Sequence, residues 1–188
     1  MHDLTPITAL GGNAPRTDTV GTVTLTEVPG IALASVAARR GHDDECAKTL
    51  KLILGAAAPD PGKSISGAPY SALWTGPGQW MLSADFDAHE DIAAQVKGQL
   101  GNTASVTEQS DAWVCFDLAG ARVFAVLELL CNINLTLFGA GDASRTSIHH
   151  LGCFVICIEP DKAVRIIGPR ASAGSLHHAV VTAMASAV

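Results

Sequence analysis

Apolar and polar positions begin to alternate at Val23 and continue in short bursts to the C-terminus. Val23 to Val28 and Ile31 to Ala37 show the period of two, or the continuous apolar run, expected of strands. Pro29-Gly30 between them predicts a tight turn joining the pair. Gly41 stops the run. Asp43-Asp44-Glu45 then places carboxylates where a helix N-terminus favours them, and Cys46, Leu50, Ile53 and Leu54 fall on one helical face. A loop carrying three prolines and three glycines covers 55–69. The segment Leu73-Trp74-Thr75-Gly76-Pro77-Gly78-Gln79-Trp80-Met81-Leu82 follows. Pro77 presets φ and its flanking glycines tolerate positive φ, so it predicts strand, tight turn, strand. Asp87 with Glu90 has the form of a helix-capping pair ahead of the stripe Ile92, Val96, Leu100.

The pattern then recurs. Thr103 to Glu108 and Trp113 to Leu118 read as strands that turn at Ser110-Asp111. Gly120 opens a helix whose buried face is Val123, Val126, Leu127 and Leu130. A loop over 132–142 leads to strands at Arg145 to Leu151, Cys153 to Glu159 and Val164 to Ile167. A last helix, Ala171 to Met184, carries the stripe Leu176, Val180, Met184 and leaves His177-His178 solvent-facing or interfacial. Strand, helix, two strands, helix thus occurs in 31–100 and again in 113–186, which predicts an internal duplication. Antiparallel strands without a crossover to every strand make the class α+β. Residues 1–22, rich in Gly, Thr, Pro and Asn, show no apolar period and read as an extended N-terminal arm. The rest, 23–188, reads as a single α+β domain of two similar halves.

At 188 residues the chain can bury about 70% of its unfolded surface, so no covalent staples are needed. With 48% hydrophobic and 16% charged residues it is too apolar for disorder, and its low surface charge points to a covering partner. A net charge of −6 argues against a nucleic-acid footprint, and no basic run exceeds Arg39-Arg40. The N-terminus lacks the features of a signal peptide, and no apolar run reaches the ~20 residues of a membrane span, so a cytoplasmic location is expected. The five cysteines, Cys46, Cys115, Cys131, Cys153 and Cys157, include no close pair and read as buried thiols.

Motifs for chemistry are sparse. Cys153 and Cys157 on one strand would lie about 13 Å apart at ~3.3 Å per residue, too far for a shared zinc with Zn–S bonds near 2.3 Å. The adjacent His149 and His150 would point to opposite faces. There is no Gly-x-Ser-x-Gly elbow, no Gly-x-Gly-x-x-Gly fingerprint and no phosphate-binding Gly-x-x-x-x-Gly-Lys-Ser/Thr loop. The acids Asp111, Asp117, Glu128 and Glu159 are scattered, with no pair poised for acid–base work. No catalytic residue and no metal ligand is assigned to this chain.

An ordered series of motifs nonetheless carries a resemblance. It comprises Trp74-x-Gly76-Pro77-x-x-Trp80-x-Leu82, Val106-Thr107-Glu108-Gln109-Ser110-Asp111-Ala112 and Leu118-x-Gly120-x-Arg122 leading into Val126-Leu127. It continues with Arg145-Thr146 and Ile166-x-x-Pro169-Arg170-x-x-Ala173-x-Ser175-Leu176. From about residue 70 to the C-terminus this series resembles the gamma subunit of heterotetrameric sarcosine oxidase. That family is similar in fold to the folate-binding domain of aminomethyltransferases, the T-protein of glycine cleavage. The resemblance implies a complex that oxidatively demethylates sarcosine to glycine, with oxygen as acceptor. It forms hydrogen peroxide and, with tetrahydrofolate, methylenetetrahydrofolate. The resemblance also implies that FAD, FMN, NAD and folate sit in the larger alpha and beta subunits and zinc in the delta subunit. The gamma chain is then a non-catalytic packing component that binds no cofactor itself.

Trp74, Gly76, Pro77, Trp80, Gln109, Ser110, Gly120, Arg145, Thr146 and Arg170 are the motif or interface candidates. Trp80 reads as core, whereas Trp74 is open between core and interface. Arg145 and Arg170 are either solvated or engaged in inter-subunit ion pairs. The chain departs from a T-protein in being about half as long and in carrying Glu108 where an Asp-x-Ser is usual, so no folate site is assigned. A free-standing folate-binding or aminomethyltransferase-like protein is the alternative reading.

Overall fold

A computed structural model describes residues 6–187. It contains eleven strands and four α-helices in the order β1 (Thr17–Val20), β2 (Val23–Glu27), β3 (Ile31–Ala38), α1 (Asp43–Leu54), β4 (Ser64–Ile65), β5 (Ser71–Gly76), β6 (Gln79–Asp85), α2 (Ile92–Leu100), β7 (Ala104–Glu108), β8 (Trp113–Gly120), α3 (Val123–Glu128), β9 (Ala143–Ile148), β10 (Leu151–Glu159), β11 (Ala163–Pro169) and α4 (Ala173–Ala187). The class is α+β with two sheets, ordered β4-β5-β6-β3-β7 and β1-β2-β8-β11-β10-β9. The chain divides into two compact units: 30–111 with 141–143, and the remainder.

Strand order reveals the duplication. Reading β7-β3-β6-β5-β4 beside β2-β8-β11-β10-β9 matches each strand of one sheet to one of the other, with β1 added at an edge. The helices match too, since α1 follows β3 as α3 follows β8, and α2 follows β6 as α4 follows β11. The apolar pattern carries this repeat with one strand too few between the helices: each half has three, and β4 falls within the segment read as a loop over 55–69.

The strand leading into each half does not stay with it. Val23–Glu27 pairs antiparallel with β8, in register Leu25↔Leu118, whereas Ile31–Ala38 pairs with β6 and β7. The hairpin expected across Pro29-Gly30 is therefore absent, and these two residues connect two sheets. The reason is hydrogen bonding: Val28 N–H donates to the Cys115 carbonyl at 2.9 Å, keeping the chain on β8 up to the proline. The Ser110-Asp111 turn has the same role, carrying β7 of one sheet into β8 of the other. Adjacent strands with a turn between them look alike in sequence whether they pair or part.

Each unit has its own core. In 30–111, Val36, Leu50, Leu82, Ile92, Val96 and Leu100 close between helices α1 and α2 and one face of the sheet. The other core gathers Leu25, Phe116, Leu118, Leu127, Ile148, Ile166, Leu176 and Met184. Alternation explains the sidedness: Val114, Phe116 and Leu118 point into that core from one strand, at i, i+2, i+4.

Three local expectations need correction. Helix α2 starts at Ile92, and its N-cap Asp91 makes no side-chain cap. Asp87 and Glu90 therefore precede the helix, and Asp85 Oδ1 instead accepts the Ala88 N–H at 3.1 Å in the preceding turn. His177 is buried, not solvent-facing, and its Nε2–H donates to Asp18 Oδ2 at 2.8 Å. Within the aperiodic first 22 residues, Thr17–Val20 form the edge strand β1, in register with β2 from Thr17↔Thr26 to Val20↔Val23. The turn preceding that strand is held by the buried Glu27, whose carboxylate accepts the N–H groups of Leu10 at 3.0 Å and Arg16 at 3.2 Å.

Candidate functional site

The β5–β6 hairpin forms as its sequence predicts, with Pro77-Gly78 as the turn. Gly78 takes φ +65°, and its carbonyl accepts the Ala38 N–H at 2.9 Å. Trp74 stands directly opposite Trp80, with one irregularity between Trp74 and Gly76 that lets Gly76 pair with Gln79. Parity is preserved, so both indoles lie on the face that also carries Ala72 and Leu82. That face turns toward α1.

Their environments differ. Trp80 packs against the core, and its Nε1–H donates to the Pro59 carbonyl at 3.0 Å. Trp74 is half-buried and lies outside that core cluster. Together they line one wall of a groove of about 420 Å³; Lys48 and Lys51 of α1 and the 57–61 segment complete it. Gly76 ends β5 and Pro77 opens the turn between the two indoles, and at Gly78 the positive φ, with no lack of space, favours glycine.

Glu108, Gln109 and Ser110 form a closed clamp at the end of β7. Glu108 Oε1 accepts the Ser110 hydroxyl at 2.6 Å and the N–H groups of Ser110 and Gln109 at 2.8 and 3.0 Å. Ser110 Oγ in turn accepts the Leu33 N–H at 2.9 Å, and Gln109 N–H also donates to the Leu33 carbonyl. Partial burial pushes the Glu108 carboxyl up. Hydrogen bonds from the Ser110 hydroxyl, from Ser110 and Gln109 N–H and from Ala93 N–H outweigh that effect and hold it below the usual carboxylate range. Ala93 lies in the first turn of α2, so the acid satisfying that helix end comes from β7, the strand that follows the helix. Glu108 is consumed in structure.

The remaining candidates are spread through the other unit. Gly120 ends β8 at φ +138°, and a Cβ there would lie 2.0 Å from the Thr22 carbonyl oxygen. Only glycine fits that approach. Exposed Arg145 places its guanidinium carbon 5.8 Å from the centre of the Phe154 ring. Thr146 Oγ1 donates to Asn132 Oδ1 at 3.3 Å, and Arg170 Nη2 donates to the Ile7 carbonyl at 3.3 Å. These four residues do not converge on one point.

Two polar pairs escape the sequence pattern. Arg165 makes a bidentate pair with Asp117 across β11 and β8, at 2.7 and 2.8 Å. Buried His177 bonds Asp18, whose carboxyl is lowered first by Arg16 and then by His177 itself. A signal for His177 was present: Ala173, Leu176, His177 and Val180 stand at i, i+3, i+4 and i+7, a wider stripe than the three apolar residues alone. Nothing in the sequence pairs Asp117 with Arg165.

Burial pushes the Cys115 thiol up to about 12 and Cys153 to about 11, and raises Cys46 and Cys131 as well. These four are thiols, not thiolates, near neutral pH. Among the described residues no group of three or more His, Cys, Asp or Glu side chains is placed to hold a metal ion. Among them, too, no helix is long and apolar enough to cross a membrane.

No family model matches the chain, and neither does any curated protein sequence. Solved structures do match. A chain of the heterotetrameric sarcosine oxidase from Corynebacterium sp. U-96, in complex with pyrrole 2-carboxylate, superposes with a TM-score of 0.72. The two are 22% identical, over 87% of this chain and 84% of that one. The glycine cleavage system aminomethyltransferase T from Bartonella henselae gives a TM-score of 0.62 at 15% identity, over 85% of this chain and 45% of that one. The present chain thus spans less than half of that aminomethyltransferase. At these identities the likeness is one of fold.

Proposed function

We propose that this chain is a non-catalytic structural subunit, in the place of the gamma chain, of a heterotetrameric sarcosine oxidase. The observation that carries the reading is coverage: the fold match extends over 87% of this chain and 84% of a chain from such an assembly. The aminomethyltransferase match leaves more than half of that enzyme without a counterpart. The candidate residues fit the same reading, because Glu108 and Ser110 are hydrogen-bonded to each other and to the backbone. In this proposal the alpha, beta and delta chains are the partners. FAD, FMN, NAD and folate reside in the alpha and beta chains and zinc in the delta chain, and the assembly works in the cytoplasm. It converts sarcosine to glycine, releasing hydrogen peroxide and passing the one-carbon unit to tetrahydrofolate. This subunit holds the larger chains in register.

Co-expression with the alpha, beta and delta chains of the same genome tests this. The chain is expected to co-elute with the flavin absorbance at a fixed ratio, and its deletion to lower assembly more than turnover per assembled complex. A chain that stays a stable monomer beside assembled partners overturns the proposal. Calorimetry of the isolated chain with tetrahydrofolate separates the folate-binding alternative, for which saturable heat is required and heat of dilution alone is fatal.

A further inference from the structure

The groove between α1 and the β5–β6 hairpin has three features that the fold of residues 30–111 does not require. First, Trp74 is half-buried and outside the core cluster, although it is paired with the core-packed Trp80. Among the described residues its indole N–H has no hydrogen-bond partner, whereas that of Trp80 is held by Pro59. Second, Lys48 and Lys51, one turn apart on α1, are exposed on the rim. Neither forms an ion pair among the described residues. Third, the opposite wall is already in place. Pro59 is buried, its carbonyl is tied to Trp80, and two prolines in the 59–61 segment limit its backbone freedom.

We propose that this groove docks an acidic segment of a partner subunit, which seats an apolar side chain against Trp74 and Trp80 and presents carboxylates to Lys48 and Lys51. This rests on the subunit reading given above and adds the surface through which it acts. The charge argument selects the occupant. A chain of net charge −6 repels an acidic partner over most of its surface, so two unpaired cations beside exposed indole surface mark where such a segment is tolerated. Asp60, on the loop wall, is the acid among the lining residues, which directs the partner's carboxylates toward α1. The magnitudes divide the work. Exposed ion pairs contribute little affinity, whereas a tryptophan filling a desolvated contact is a frequent hot spot. The indoles therefore supply affinity, and the lysines supply selectivity and association rate. A wall formed in advance removes part of the ordering cost of binding.

The test measures binding of this chain, wild type and variant, to the alpha–beta–delta complex purified without it. Trp74→Ala is expected to weaken binding at least about 30-fold. The double reversal Lys48→Glu with Lys51→Glu is expected to weaken it about 10-fold and to invert the salt dependence, with far-UV dichroism and melting unchanged. Because α1 exposes both lysines, that second variant remains informative if Trp74→Ala impairs folding. Leu129→Ala, in the other unit, serves as a control expected to bind like wild type. If the wild type binds and both variants stay within twofold of it, the groove is wrong and the subunit reading stands. If only Trp74→Ala weakens binding, the acidic character of the occupant is wrong. If the wild type does not bind the complex, both proposals fall.

Discussion

Residues 30–111 and the unit that contains residues 112–140 repeat one strand order yet build the same junction differently. In both, a hairpin turn between the two middle strands has a residue in the left-handed region, Gly78 at φ +65° and Asp161 at φ +55°. In both, that turn lies near the start of the first helix of the repeat. Asp161 uses its side chain: Oδ1 accepts the Phe124 N–H at 2.8 Å and its own carbonyl accepts the Val123 N–H, completing the start of α3. Gly78 has no side chain to offer, and the nearby acid is Asp43, in the first turn of α1. A Cβ at position 78 would lie 3.5 Å from Asp43 Oδ1. At the start of α3 the turn residue thus satisfies orphan N–H groups, whereas the start of α1 carries no side-chain cap and Asp43 only lies near the glycine turn. Duplicated halves therefore keep topology while losing sequence identity.

The two helices also diverge in length. Helix α1 runs twelve residues and α3 only six. The longer α1 brings Lys48 and Lys51 alongside the hairpin, forming one wall of the tryptophan groove. Repetition sets the frame, and local additions make the surface.

Six substitutions probe these differences. Gly120→Ala has the largest expected effect, because its Cβ would overlap the Thr22 carbonyl at 2.0 Å with backbone on both sides. A loss above about 4 kcal/mol, a large part of the stability of a typical domain, should appear as failure to give a cooperative urea transition. A normal transition would show that the β8 end can relax. Trp80→Ala should lower unfolding free energy by about 2–3 kcal/mol, since packing and the Pro59 hydrogen bond are both lost, and Trp74→Ala by only about 1 kcal/mol. Equal losses in denaturant titrations would place both indoles in the core and remove the contrast between them.

Glu108→Gln should cost about 1–2 kcal/mol at neutral pH, the exposure of the clamp limiting the effect. Its pH dependence has a definite sign. The folded-state carboxyl lies below its unfolded value, so its contribution is complete above the unfolded value of about 4.3. That contribution fades as pH falls through the lower folded value. Melting temperature against pH should therefore drop more steeply on acidification in the wild type than in Glu108→Gln; parallel profiles would mean the clamp does not bind the ionised acid. Asp161→Gly, which keeps the left-handed turn but removes the cap, should cost about 1 kcal/mol by thermal melting. Gly78→Asp should also destabilise, by like-charge repulsion with Asp43 in place of a lost cap. If Asp161→Gly is neutral, the cap that Asp161 places on α3 has no energetic content.

Helices and strands with strong periodicity were legible because burial writes itself into spacing: Ile92, Val96 and Leu100 are buried as their stripe requires. The tryptophan hairpin was legible because Pro77-Gly78 has few conformations to choose from. Long-range partners were less so. The clamp at Glu108 draws on Leu33, Ala93 and Ser110, and only the last is a neighbour in sequence. His177 looked peripheral because its partner, Asp18, is 159 positions away. The face shared by Trp74 and Trp80 depended on one irregularity in register, which no pattern of residue types encodes.

What the sequence by itself determined is the α+β class, the twofold recurrence of a strand and helix followed by further strands and a second helix, and the apolar faces of its helices. Each of these follows from local period and turn chemistry, which act over a few residues. What only the tertiary structure decided is the exchange of leading strands, whereby β2 pairs with β8 and β7 with β3. The groove beside α1 and the closing of Glu108 into a clamp also belong to that level. Strand pairing is chosen by backbone hydrogen bonds between segments far apart in the chain, and those bonds are made by N–H and C=O groups that nearly every residue carries alike.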